Sequence, residues 1–116
     1  MSYDLYFCDP VSREVIELND AHFMRGGTYA VGGSKELHFN ITYNYASNYA
    51  KHSFSIRNLV DKTALEAIPE LERVIALLGN DVSDDYWEAT DGNAKRALIS
   101  LLTMAKMRPD AVIKVC

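Results

Sequence analysis

Within the ten residues Asn40–Tyr49 the chain places three tyrosines, Tyr43, Tyr45 and Tyr49, and three asparagines, Asn40, Asn44 and Asn48. A tyrosine offers a flat face for stacking and a hydroxyl, and an asparagine amide both donates and accepts; together they suit the base and sugar edges of a nucleotide-like ligand. The same residues also suit plain folding, with Tyr43 and Tyr45 turned into a core, Asn44 ending a strand and Asn48 and Tyr49 on the surface. His38, next to Asn40 on the polar side, adds a group able to titrate or to meet a phosphate.

A second group is acidic: Asp81-Val82-Ser83-Asp84-Asp85-Tyr86-Trp87-Glu88-Ala89-Thr90-Asp91. Asp81, Ser83 and Asp85 have the spacing of the first half of a calcium loop, but Tyr86 stands where that loop needs glycine and Gly92 where it needs a bidentate glutamate. Asp84 or Asp85 beside Glu88 has the composition of an acid–base pair, and equally of solvated charges ahead of a helix. Trp87, the sole tryptophan, serves either as a stacking platform or as an anchor for the run.

The third group is Gly26-Gly27-Thr28-Tyr29-Ala30-Val31-Gly32-Gly33-Ser34, one residue from a phosphate-binding loop. Gly33 occupies the lysine step and a strand follows in place of a helix, so the lysine and the helix N-terminus that grip phosphate are both missing. Two glycine turns flanking a short strand centred on Tyr29 account for the segment, with exposed amides near a ligand as the alternative. No GxSxG elbow, HExxH helix, GxGxxG fingerprint or paired-cysteine motif occurs, and the cysteines, Cys8 and Cys116, lie near opposite ends. No cofactor or metal is expected.

The elements that must position these groups read as follows. Tyr3, Leu5 and Phe7 alternate with polar neighbours, Asp9-Pro10 to Ser12-Arg13 makes a turn, and Glu14–Leu18 returns as a hairpin. Lys35–Tyr45 alternates most clearly, with Leu37, Phe39, Ile41, Tyr43 and Tyr45 on one face, and reads as one strand. Asn40 and Asn44 are poor strand formers inside it.

After Lys62 the period changes. Thr63-Ala64-Leu65-Glu66 is a capping box, and Ile68, Leu71, Ile75 and Leu78 form a stripe ending at Gly79, where a left-handed cap is expected. Pro69 predicts a kink or a restart of that helix. A second helix starts after Thr90 as N-cap, carries Ala94, Ala97, Leu98, Leu101, Leu102 and Ala105 on one stripe, and stops at Arg108-Pro109. Ala111–Val115 reads as a last strand. The fold class expected is α+β: a small, mainly antiparallel sheet packed against two helices from the C-terminal half, in one domain over 1–116.

The composition, 48% apolar and 24% charged over 116 residues, is that of a globular chain. No apolar run reaches the roughly 20 residues that span a bilayer, and the start lacks a signal-peptide layout, so a cytosolic location and no membrane partner are expected. A net charge of −4 argues against nucleic acid as a partner. Residues 1–21 carry −4, residues 22–62 carry +3 with all three histidines, and residues 63–116 carry −3. Only the middle segment attracts a small anion.

The blocks Gly26-Gly27-Thr28-Tyr29-Ala30-x-Gly32-Gly33, Glu36-Leu37-x-x-Asn40-Ile41-Thr42-Tyr43-Asn44-Tyr45, Asp81–Glu88 with Thr90 and Gly92-Asn93-Ala94, and Met107-Arg108-Pro109-Asp110 carry a resemblance. Across nearly its whole length the chain resembles a family of short proteins encoded by tailed phages and prophage-bearing bacteria. The resemblance implies an origin and no particular activity. It implies action against host defence, either by sequestering a signalling nucleotide or by blocking a host protein.

Three functions are therefore expected, in this order. The first is non-enzymatic binding of a small, nucleotide-derived anion, with Tyr29, Tyr43, Tyr45 and Trp87 stacking, Asn40 and Asn44 reading polar edges, Lys35, Arg57 or Arg96 meeting phosphate, and Asp85 also among the ligand-binding residues. The second is inhibition of a host protein through the acidic surface Asp81–Asp91. The third is a nucleotide-degrading enzyme using Asp85 or Glu88. Ile99, apolar on the wet side of the last helix, points to a homodimer contact.

Overall fold

The computed structural model describes residues 1–22 and 33–116. Strand β1 (Ser2–Cys8) is the centre of a three-stranded antiparallel sheet, flanked by β4 (His38–Thr42) and β5 (Val112–Val115). Tyr3 faces Ile41, Leu5 faces Phe39 on one side and Val115 on the other, and Phe7 faces Ile113. Strands β2 (Glu17–His22) and β3 (Ser34–Glu36) pair separately as a two-stranded sheet. Helix α1 (Ala46–Ala50) is short; α2 (Ala64–Leu77) and α3 (Asp91–Met107) pack on each other and on the sheet. The α+β architecture read from the sequence is the one observed.

Alternation in β1 buries Leu5 and Phe7, and in β4 it buries Phe39 and Ile41. These side chains meet Leu71 and Val74 of α2 and Leu98, Leu101 and Met104 of α3 in one apolar cluster. Fully burying one such side chain contributes about 1.5–3 kcal/mol, so the face shared by sheet and helices dominates stability. Asp9 makes the first turn by accepting from the amides of Val11 (2.8 Å) and Ser12 (3.0 Å), with Arg13 at φ 65°. The hairpin lasts two rungs, with Val15 bridging Cys8 and the Ile16 amide donating to Phe7 O (2.9 Å). From Glu17 the chain leaves to pair with β3, which corrects the expected strand Glu14–Leu18.

The long strand Lys35–Tyr45 is likewise not one strand. Leu37 hinges the two sheets, donating to Ile16 O (2.8 Å) and accepting from the Phe7 amide (2.9 Å). Strand β4 stops at Thr42 because its Oγ1 accepts from the Asn44 amide (3.2 Å), capping a 3-10 turn, Tyr43–Tyr45, that runs straight into α1. A capping hydroxyl offers the backbone a helical route that competes with the ladder.

The capping box of α2 forms as expected, Thr63 accepting from the Glu66 amide and Glu66 from the Thr63 amide. Pro69 lies inside a continuous helix, so the expected restart does not occur. Proline removes one intrahelical bond, that to Leu65 O, and Leu65 is exposed, so water reaches this part of the helix. The buried positions are Ala64, Ala67, Leu71 and Val74, with Leu78 buried just past the helix, so Leu71 and Leu78 of the expected stripe are core while Ile68 and Ile75 are only partly buried. Ala64 and Ala67 share the core cluster with Ala94, Ala97 and Ala105 of α3. The helix ends with Leu78 extended, and Gly79 does not adopt the left-handed conformation expected of it. Thr90 caps α3, and Arg108 ends it. Among the described residues no helix is long and apolar enough to cross a membrane.

Candidate functional site

The Tyr/Asn segment and the acidic run meet. Asn44 Nδ2 donates to Trp87 O (2.8 Å), the Tyr45 hydroxyl donates to Tyr86 O, and Asn48 Nδ2 donates to Ala89 O (3.1 Å). From the other side, Asn93 Nδ2 donates to Asp85 O (3.0 Å) and Glu88 O (3.1 Å), while its Oδ1 accepts from the Ser83 amide (3.1 Å). The Gly92 amide donates to Asp81 O (3.1 Å). The side-chain donors and the Gly92 amide come from the 3-10 turn and α1 on one side or the first turn of α3 on the other. The carbonyls of Asp81, Asp85, Tyr86, Trp87, Glu88 and Ala89 are thus turned inward onto positioned donors.

Most of the loop's side chains are left exposed. Val82 is 55% exposed, Tyr86 53% and Trp87 40%, and Asp81, Asp84, Asp85 and Glu88 are exposed beside them. No basic residue lies between 81 and 90. Asp85 Oδ1 caps the Trp87 amide (3.0 Å), and Ser83 Oγ bonds Glu88 Oε2 (2.5 Å). These two acids brace the loop internally. Among the described residues no group of three or more His, Cys, Asp or Glu is placed to hold a metal ion.

Electrostatics tighten the same junction. Asp91 accepts from Asn48 (2.8 Å), from Lys51 Nζ (2.9 Å) and from the Gly79 amide (3.3 Å). Those bonds, Asn48's foremost, bring its pKa down from 3.8 to about 2. Burial raises the Tyr45 phenol, with Asp85 adding to the shift, and raises Tyr49 well above 10. Both hydroxyls therefore stay protonated and keep donating, Tyr49 to Ala94 O at 2.9 Å.

The expected ligand residues are spread among different settings. Tyr45 is 1% exposed, so its ring cannot stack on a ligand; that expectation is corrected, the ring being core and the hydroxyl a latch. Asn44 reads Trp87 O rather than a ligand edge. Asn40, half-buried in β4, donates to Ser2 Oγ (2.9 Å) and Asp4 Oδ1 (2.8 Å). The same Asp4 oxygen lies 2.8 Å from His38 Nε2, and the His38 ring stacks on Tyr6 at 4.5 Å. Lys35 is exposed on β3 and Arg96 on α3. Asp85 and Trp87 sit in the acidic loop. Tyr43, half-buried, lies 4.3 Å from Tyr3, over which Arg57 is held. Tyr29 and residues 23–32 lie outside the described residues.

Sequence reading missed Asn93 and Gly92. A Cβ at Gly92 would stand 2.6 Å from Asp81 O and 2.8 Å from Val82 Cγ1, so only glycine admits the loop this close. The available signal was a glycine in the first turn of a helix, a place it rarely favours. The chain matches no known family model, no curated protein and no solved structure.

Proposed function

We propose that the protein is a non-enzymatic, protein-binding module of phage type that presents loop 81–90 to a basic, apolar-rimmed site on a host protein. The observation that carries this reading is the division of the loop: carbonyls inward on fixed donors, acidic and aromatic side chains outward. A loop already held in shape loses little conformational entropy on binding. Tyrosine and tryptophan are the side chains that anchor interfaces, and surrounding carboxylates steer a cationic partner and set specificity. The nucleotide-degrading reading is weaker, because Glu88 is tied to Ser83 and Asp85 caps the Trp87 amide instead of forming an acid–base pair.

The test is capture of a host protein by the immobilised chain, repeated with two variants. A stoichiometric partner released by salt, and lost with both Asp84→Lys/Asp85→Lys and Trp87→Ala while each variant stays folded, is the expected outcome. A partner retained by both variants would place the interface elsewhere.

A further inference from the structure

Apart from the acidic loop, Tyr3, Tyr43 and Arg57 are brought together from three elements. Tyr3 lies in β1, Tyr43 opens the 3-10 turn after β4, and Arg57 lies in a second 3-10 turn, Ile56–Leu59. The two tyrosine rings lean on each other at 4.3 Å and 55°, and the Arg57 guanidinium sits 5.4 Å from the centre of the Tyr3 ring. Both rings are half-buried and Arg57 is exposed. Among the described residues Arg57 has no carboxylate within ion-pair distance, whereas Arg73 and Arg108 both have one.

A guanidinium held on a ring keeps its N–H donors, and here no carboxylate of the described residues takes them. That combination fits one chemical class: a flat aromatic group to lie against the tyrosines, carrying an anion to meet the guanidinium. We propose that Tyr3, Tyr43 and Arg57 form a shelf for a planar aromatic phosphate, of which a nucleoside monophosphate is the simplest biological case. The shelf is independent of the acidic loop, and either stands if the other fails.

The test is an NMR titration of the full chain with adenosine 5′-monophosphate, adenosine and inorganic phosphate in parallel. The expected result is saturable shifts centred on Tyr3, Tyr43 and Arg57 with the nucleotide, and binding weaker by roughly tenfold or more with either fragment. Arg57→Gln brings the nucleotide down to the level of adenosine with Tm unchanged, and Tyr43→Leu weakens nucleotide and adenosine together. The proposal is overturned by no saturable shift up to about 10 mM nucleotide, a range that covers millimolar affinity. Shifts centred on other residues, inorganic phosphate binding as well as the nucleotide, or Arg57→Gln binding the nucleotide unchanged overturn it equally. Should Tyr43→Leu not fold, Arg57→Gln, at an exposed position, decides the matter.

Discussion

Segments 43–49 and 81–90 draw on similar residue types and put them to opposite use. In 43–49 two of the three rings go inward: Tyr45 and Tyr49 are each 1% exposed, and their hydroxyls end on carbonyls 41 and 45 residues away. In 81–90 the rings go outward and the backbone is what the protein holds. The difference teaches that an aromatic, polar stretch is not by itself a binding surface. The partner of its polar atoms decides: a side chain whose hydroxyl serves a distant carbonyl belongs to the framework, and a loop whose carbonyls are served from beneath is free to show its side chains.

Removing an inward ring should break this contrast most severely. Tyr49→Ala empties a buried site and takes the donor from Ala94 O, and is expected to cost about 3–5 kcal/mol in urea denaturation. Gly92→Ala comes next: a methyl 2.6 Å from the Asp81 carbonyl forces the loop off α3, with an expected loss of about 1–3 kcal/mol and faster amide exchange across 81–90.

A smaller effect follows from acid. Because the folded-state pKa of Asp91 is depressed to about 2, its contribution is complete above the unfolded value of 3.8 and is lost as pH falls from that value towards 2. Asp91→Asn should flatten that part of the pH–stability curve, by about 1 kcal/mol given a side chain that keeps 22% of its exposure. The smallest effect on stability is expected from the outward ring. Trp87→Ala should lower the unfolding free energy by about 1 kcal/mol or less, well below Tyr49→Ala, since that residue is already 40% exposed. A loss matching that of Tyr49→Ala would erase the distinction between the two segments.

Much of the frame was legible because it is written locally. The Thr63/Glu66 capping box, Thr90 as N-cap, the Arg108-Pro109 stop and the alternation in Tyr3–Phe7 each depend on residues a few positions apart. What was not legible depends on distant partners. Nothing near Thr42 announces that its hydroxyl ends β4, since alternation continues formally through Tyr45. The expected stripe was right at Leu71 and Leu78, whereas the helix turns Ala64, Ala67 and Val74 into the core and leaves Ile68 and Ile75 partly buried. Of the expected site residues, Asp85 and Trp87 lie in the acidic loop, and Tyr43 and Arg57 both lie against Tyr3. Asn44 and Tyr45 were noticed for their chemistry, but the carbonyls they serve lie more than forty residues downstream.

The most direct test of the displayed loop is the affinity of the isolated host partner for the intact chain and for Asp84→Lys/Asp85→Lys and Trp87→Ala, measured by calorimetry at low and high salt. One-to-one binding that weakens with salt and falls by at least about tenfold in each variant, with both variants still folded, is the expected result. Equal affinities across all three proteins would contradict it.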